Sequence, residues 1–172
     1  LHQVHIPDWR ITGALMEKIQ EKISLKQSSL GEAAADGLFA GVIAGLVMAV
    51  FLLVAGWILG RGLTDTLLIN PVGATSEPSL GFLSHLAVSG VYGVVFGLAE
   101  YVLLGKWLKD TPPGSSALLG LTYGVLLWAL AAIVLLPGSA SPMQILPPLI
   151  LLIAHMIFGL VLSVLVSRRR KS

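Results

Sequence analysis

Two histidines carry the most chemical promise in this chain. In 85-HLAVSGVYGVVFG-97, His85 is followed by Ser89, Gly93 and Gly97 at steps of four; in 155-HMIFGLVLSVLVS-167, His155 is followed by Gly159, Ser163 and Ser167. Both sit in apolar runs that read as membrane helices, where ionisable side chains are costly and therefore functional suspects. Facing imidazoles from two helices of a bundle would ligate the iron of haem b, with the nearby glycines leaving room for the macrocycle. A single imidazole would ligate the magnesium of a chlorin or contact a quinone. The simpler account needs no cofactor: neutral histidines bonded to hydroxyls or to backbone carbonyls of neighbouring helices. We prefer it, because small-residue stripes filled by neighbouring backbones leave no space for a macrocycle.

Glu100 is the next candidate polar site. It lies fifteen residues beyond His85, about 60° around a helix that turns 100° per residue, and so on the same face. A proton relay would need polar groups between Glu100 and the histidines, and Tyr92 and Tyr123 are the only large ones on offer. The preferred reading is an interfacial carboxylate paired with a nearby lysine or a helix N-terminus. Glu32 and Asp36 suit the start of a helix for the same electrostatic reason.

These residues need elements to hold them. The chain is 55% hydrophobic and 12% charged over 172 residues, and its mean hydropathy is +0.87. Soluble domains carry about 25% charged residues, so this is an integral membrane protein of one domain. Four apolar segments reach the ~20 residues a bilayer requires, at about 33–59, 80–104, 115–136 and 147–167. Ser29-x-x-Glu32 has the pattern of a capping box and predicts a helix start near Leu30. Pro78, Thr111-Pro112-Pro113-Gly114, Pro137-Gly138 and Pro147-Pro148 punctuate the other segments. Before them, Ile11, Leu15, Ile19 and Ile23 recur every four residues among Glu17, Lys18, Glu21, Lys22 and Lys26. That predicts an amphipathic helix over 8–27, capped by Asp8, lying on the membrane surface or docking on a partner. The division is therefore 1–29 for this helix, 30–168 for the membrane domain and 169–172 for a basic tail.

Ten of the eleven basic residues fall on one side of a four-crossing topology: Arg10, Lys18, Lys22 and Lys26, then Lys106 and Lys109, then Arg168-Arg169-Arg170-Lys171; Arg61 alone falls on the other. The excess of lysine and arginine places both termini in the cytoplasm. Trp57, Tyr101 and Trp107 suit the two interfaces, while Trp128 lies deeper and packs on a neighbour.

Each span carries small residues at steps of four: Gly37, Gly41, Gly45 and Ala49; Ser89, Gly93 and Gly97; Ser116, Gly120 and Gly124; Gly159, Ser163 and Ser167. Steps of four keep one helix face, and small residues let backbones approach where no hydrophobic force drives helices together in lipid. The second and fourth spans each place a histidine before the stripe. This predicts a duplicated helical hairpin in which His85 and His155 correspond.

The stretches 81-GFLSHLAVSGVYGVVFGLAEYVLL, 119-LGLTYGVLLWALAAIVLLPG and 148-PLILLIAHMIFGLVLSVL resemble an uncharacterised family of four-helix bacterial inner-membrane proteins, similar to the YagU-like proteins. Gly81, His85, Gly120, Tyr123, Gly124, Trp128, Pro137, His155 and Gly159 carry the likeness, over about residues 35–167. It implies the four-helix fold and a bacterial setting, and it implies no activity.

Several functions are disfavoured. From Thr111 to Ser167 there is no Asp, Glu, Lys or Arg, whereas coupled transporters keep a charged or broken-helix site near the midplane. There is no glycine-rich phosphate loop, no metalloprotease motif and no paired intramembrane carboxylates. With no cysteine, disulfides and iron–sulfur clusters are out, and the low net charge gives nucleic acid no footprint. The expected fold is all-α, an integral membrane four-helix bundle with an N-terminal amphipathic interfacial helix. The expected role is a non-catalytic accessory or assembly subunit of a larger membrane complex, respiratory or photosynthetic, in contact with lipid and other membrane subunits. The alternatives are a haem- or pigment-binding electron-transfer protein using His85 and His155, and a small transporter or channel.

Overall fold

A computed structural model of the chain describes residues 9–62, 78–106, 115–135 and 146–169. The described residues are helical throughout apart from short end segments. They form α1 (Trp9–Ile58), α2 (Pro78–Lys106), α3 (Ser115–Leu130, followed by the π-helical Ala131–Leu135) and α4 (Pro148–Arg169). Among the described residues, four stretches are long and apolar enough to cross a membrane: Ser29–Ile58, Ser79–Leu103, Ser115–Val134 and Pro148–Arg169. The protein is built as a multi-pass membrane protein. Val50, Leu83, Leu126 and Leu149 are exposed, one on each helix, which suits contact with acyl chains and would be unfavourable in water.

The chain divides into two compact units, 1–32 and 33–172. In the first, the expected helix start at Leu30 is not found: α1 is helical through Ser29, Leu30, Gly31 and Glu32. A capping serine must leave the helical conformation, and nothing here forces that. No proline interrupts the ladder, and extending an existing helix is far easier than nucleating a new one. The amphipathic pattern before it has no buried face over residues 16–21, where Met16, Glu17, Lys18, Ile19, Gln20 and Glu21 are all exposed. The Asp8 cap, the breaks at 111–114 and 137–138, Trp107, Lys109 and the tail from Arg170 lie outside the described residues.

In the second unit α1 runs antiparallel to α2 and α3 antiparallel to α4, and contacts link each helix to the next. Glycine contacts join α1 to α2 and α3 to α4. Tyr92 and Phe96 of α2 meet Tyr123 of α3, and Asp36 of α1 meets Arg169 of α4. The core runs as two stripes, Ala40, Ala44, Met48 and Leu52 on α1 and Leu151, Ala154, Phe158, Leu162 and Val166 on α4, with Phe96 and Leu127 beside them. The four-residue steps of the first stripe and the mixed three- and four-residue steps of the second are what an α-helix needs to keep one face inward.

Local signals explain the helix ends. Gly60 adopts φ 73°, Gly60 N–H donates to Trp57 O at 3.0 Å and Arg61 N–H to Gly56 O at 3.0 Å. That pair of bonds is a Schellman motif, which favours glycine at its left-handed position. At the start of the last helix, Pro147 O accepts from Ile150 N–H at 2.9 Å and from Leu151 N–H at 3.3 Å, so α4 starts at Pro148, whose missing N–H would have had no partner.

Candidate functional site

The small residues and the two histidines singled out in the sequence sit where helices cross. In the first hairpin, a Cβ added to Gly93 would lie 2.6 Å from Gly41 Cα, one on Gly41 2.8 Å from Gly93 Cα, and one on Gly97 3.0 Å from Gly37 Cα. In the second, a Cβ on Gly159 would lie 3.0 Å from Gly124 N, one on Gly124 2.8 Å from the His155 carbonyl carbon, and one on Gly120 2.5 Å from Ser163 Cβ. These are backbone-on-backbone crossings that no larger residue permits. Gly37, Gly41, Gly45, Ser89, Gly93 and Gly97 make one crossing; Gly120, Gly124, Gly159 and Ser163 make the other.

The register of these contacts corrects one expectation. Gly93 faces Gly37 O and Gly41 N, while Gly159 faces Gly120 O and Gly124 N. Gly37, Gly41 and Gly93 therefore correspond to Gly120, Gly124 and Gly159. Counting along the helices, His155 takes the place of Ser89, and His85 the place of Leu151. Consistently, the added Cβ of Gly41 meets Ser89 O and that of Gly124 meets His155 O. The two histidines are not equivalent members of a repeat. Because every stripe repeats in fours, the sequence can be slid by one turn without losing the pattern, and only the contacts fix the register.

Each histidine has one ring nitrogen committed. His85 Nε2 is 3.1 Å from Gly45 O, on the neighbouring helix. His155 Nδ1 is 2.7 Å from Leu151 O, four residues back on its own helix. A carbonyl can only accept, so the proton in each bond belongs to the ring. His85 thus ties α2 to α1, whereas the His155 bond lies within α4. Ser163 donates to Leu160 O at 2.9 Å, and Ser167 donates to Ser163 O. These hydroxyls are absorbed by their own helix.

Glu100 is 2% exposed, and Ser89 and Ser163 are also buried, so Glu100 points inward as its position relative to His85 requires. Tyr123 Oη donates to Tyr92 O at 2.8 Å, and its ring tilts against Phe96 at 5.1 Å between centroids. This uses the two tyrosines to join α2 and α3. Asp36 and Arg169 pair at 3.0 Å, with the guanidinium 4.4 Å from the centre of the Phe39 ring. Sequence reasoning gave Asp36 to the helix dipole and Arg169 to the basic tail; no local signal relates residues so far apart in the chain. No cluster of three or more His, Asp or Glu suited to a metal ion occurs among the described residues.

No curated protein and no solved structure matches this chain. Residues 32–172, which include both crossings and both histidines, match the family of unknown function DUF6789; the chain belongs to that family.

Proposed function

We propose that this protein is a non-catalytic accessory subunit that assembles with other subunits in a bacterial inner membrane, its N- and C-termini in the cytoplasm. One observation carries the reading: the side chains most able to do chemistry are spent on holding helices. His85 bonds to the α1 backbone, His155 to its own helix, and Tyr123 to the α2 backbone. A haem bridging both histidines is poorly served, because His85 Nε2 already holds Gly45 O. Outside the spans, Met16 and Ile19 are 64% and 43% exposed, on the stripe that also holds Ile11, Leu15 and Ile23 in the sequence. An apolar face of this kind favours burial against a second surface. The lysine and arginine asymmetry supports the orientation.

The test is gentle extraction followed by mass spectrometry of what accompanies the full chain, set beside a Met16→Glu/Ile19→Glu double variant. A stoichiometric partner lost in the variant while the bundle keeps its melting temperature is the expected result. A chain that extracts alone in both forms refutes the proposal. An absorption spectrum of the same sample tests the cofactor alternative, which requires a Soret or chlorin band lost in His85→Ala and His155→Ala.

A further inference from the structure

The corrected register shows where the two hairpins stop being alike. Gly41 corresponds to Gly124, so four residues on, Trp128 stands where α1 has Gly45. The facing position holds Ser89 in the first hairpin and His155 in the second. In the first hairpin the crossing stays narrow beyond Gly41: a Cβ on Gly45 would lie 2.5 Å from Ser89 Oγ. An indole and an imidazole cannot fit in that space, so α3 and α4 must be set differently there. The π-helical turn Ala131–Leu135 follows three residues later; such widened turns recur at functional sites.

The polar atoms at this place are unusual. Trp128 Nε1 is buried and meets no hydrogen-bond acceptor among the described residues. Buried donors are satisfied in the great majority of cases, and tryptophan N–H is a donor only. His155 gives its Nδ1 proton to Leu151 O, so the neutral ring keeps an accepting lone pair on Nε2. Its carbonyl touches the Gly124 position. Trp128 lies one turn beyond Gly124, and the His155 ring turns back one turn toward Leu151. The two antiparallel helices therefore bring both rings to one level.

We propose that Trp128 and His155 bind the oxygen-bearing head of a lipid-phase molecule, with a carbonyl oxygen accepting from Trp128 Nε1–H and His155 Nε2 accepting from a hydroxyl where the head carries one, as a reduced quinone does. Two sources have this chemistry, a quinone ring and a lipid ester. Neither needs His85, which is committed to α1.

The experiment uses the full chain with ¹⁵N-labelled tryptophan indoles in lipid nanodiscs, the Trp128 signal assigned by Trp128→Phe. In one arm a short-chain benzoquinone and, separately, its quinol are titrated; in the other, ester lipids are exchanged for ether lipids, which lack the carbonyl. A saturable shift of the Trp128 signal with quinone that is absent at Trp57, together with a quinol shift about fivefold weaker in His155→Leu, as expected for one lost neutral hydrogen bond from the quinol hydroxyl to Nε2, identifies a quinone site. A Trp128 shift on ester-to-ether exchange without a quinone response identifies a lipid carbonyl. A Trp128 signal that stays fixed in both arms, or that follows quinone linearly along with Trp57, overturns the proposal.

Discussion

Replacing Gly93 by alanine adds one methyl group at the tightest point of the first crossing. That carbon would lie 2.6 Å from Gly41 Cα and closer still to Gly37 O. Carbon atoms pack best at about 3.5–4.0 Å, so α1 and α2 must separate by roughly 1 Å. Both obstructing groups are backbone, so no rotamer change can relieve the contact. Overpacking of this kind costs about 1–3 kcal/mol, and each kcal/mol is worth about 2–4 °C in melting temperature for a chain of this size. The separation also stretches the bond between His85 and Gly45 O, now 3.1 Å. Gly93→Ala and His85→Leu should therefore be less than additive, as expected of sites sharing one contact. Gly31 supplies the control. A Cβ there meets nothing within 4 Å, and in a helix interior Gly→Ala should stabilise by about 0.5–1 kcal/mol. Thermal denaturation of both variants in a mild detergent, followed by circular dichroism, gives the answer. Opposite signs are expected; a Gly93→Ala protein as stable as the parent, or a loss of equal size at both positions, would refute the idea that close backbone contact holds this hairpin.

Other changes probe the remaining seams. His85→Leu removes a bond between helices and should destabilise by about 0.5–1.5 kcal/mol, while His155→Leu, which removes a bond within one helix, should do less; paired melting curves would show the reverse order if His155 were the structural residue. Tyr123→Phe deletes the bond to Tyr92 O but keeps the ring against Phe96, so the loss should be about 0.6 kcal/mol, the typical worth of an interhelical bond in lipid. A much larger loss in a steric-trapping assay would mean that Tyr123 does more than join α2 to α3. The Asp36–Arg169 pair is partly solvent-exposed, at 35% and 45%, and Asp36→Asn should cost under about 1 kcal/mol, less at high salt. Arg169→Ala should cost more than Asp36→Asn because it also removes the cation over Phe39.

Much of the fold is legible from local rules, because in lipid a helix must satisfy its own backbone and only long apolar runs can cross. The four spans, the stripes of small residues and the inward face of Glu100 all follow from length and period. The helix start at Leu30 failed because a capping pattern only permits a boundary, and the residues around Ser29 contain nothing that stops a helix already under way. The correspondence of His85 with His155 failed for a different reason: a pattern that repeats every four residues is unchanged when shifted by one turn. Fixing the register needs the contacts of Gly93 with Gly41 and of Gly159 with Gly124, and those are long-range. The same contacts show that His85 reaches across to Gly45, that Tyr123 is spent on Tyr92, and that Trp128 stands opposite His155 where its counterpart is a glycine. The sequence by itself determined that this chain builds four membrane-crossing helices and which faces they turn inward, since both depend on neighbours along one helix. Only the tertiary structure decided which turn meets which, because that choice rests on atoms of different helices touching.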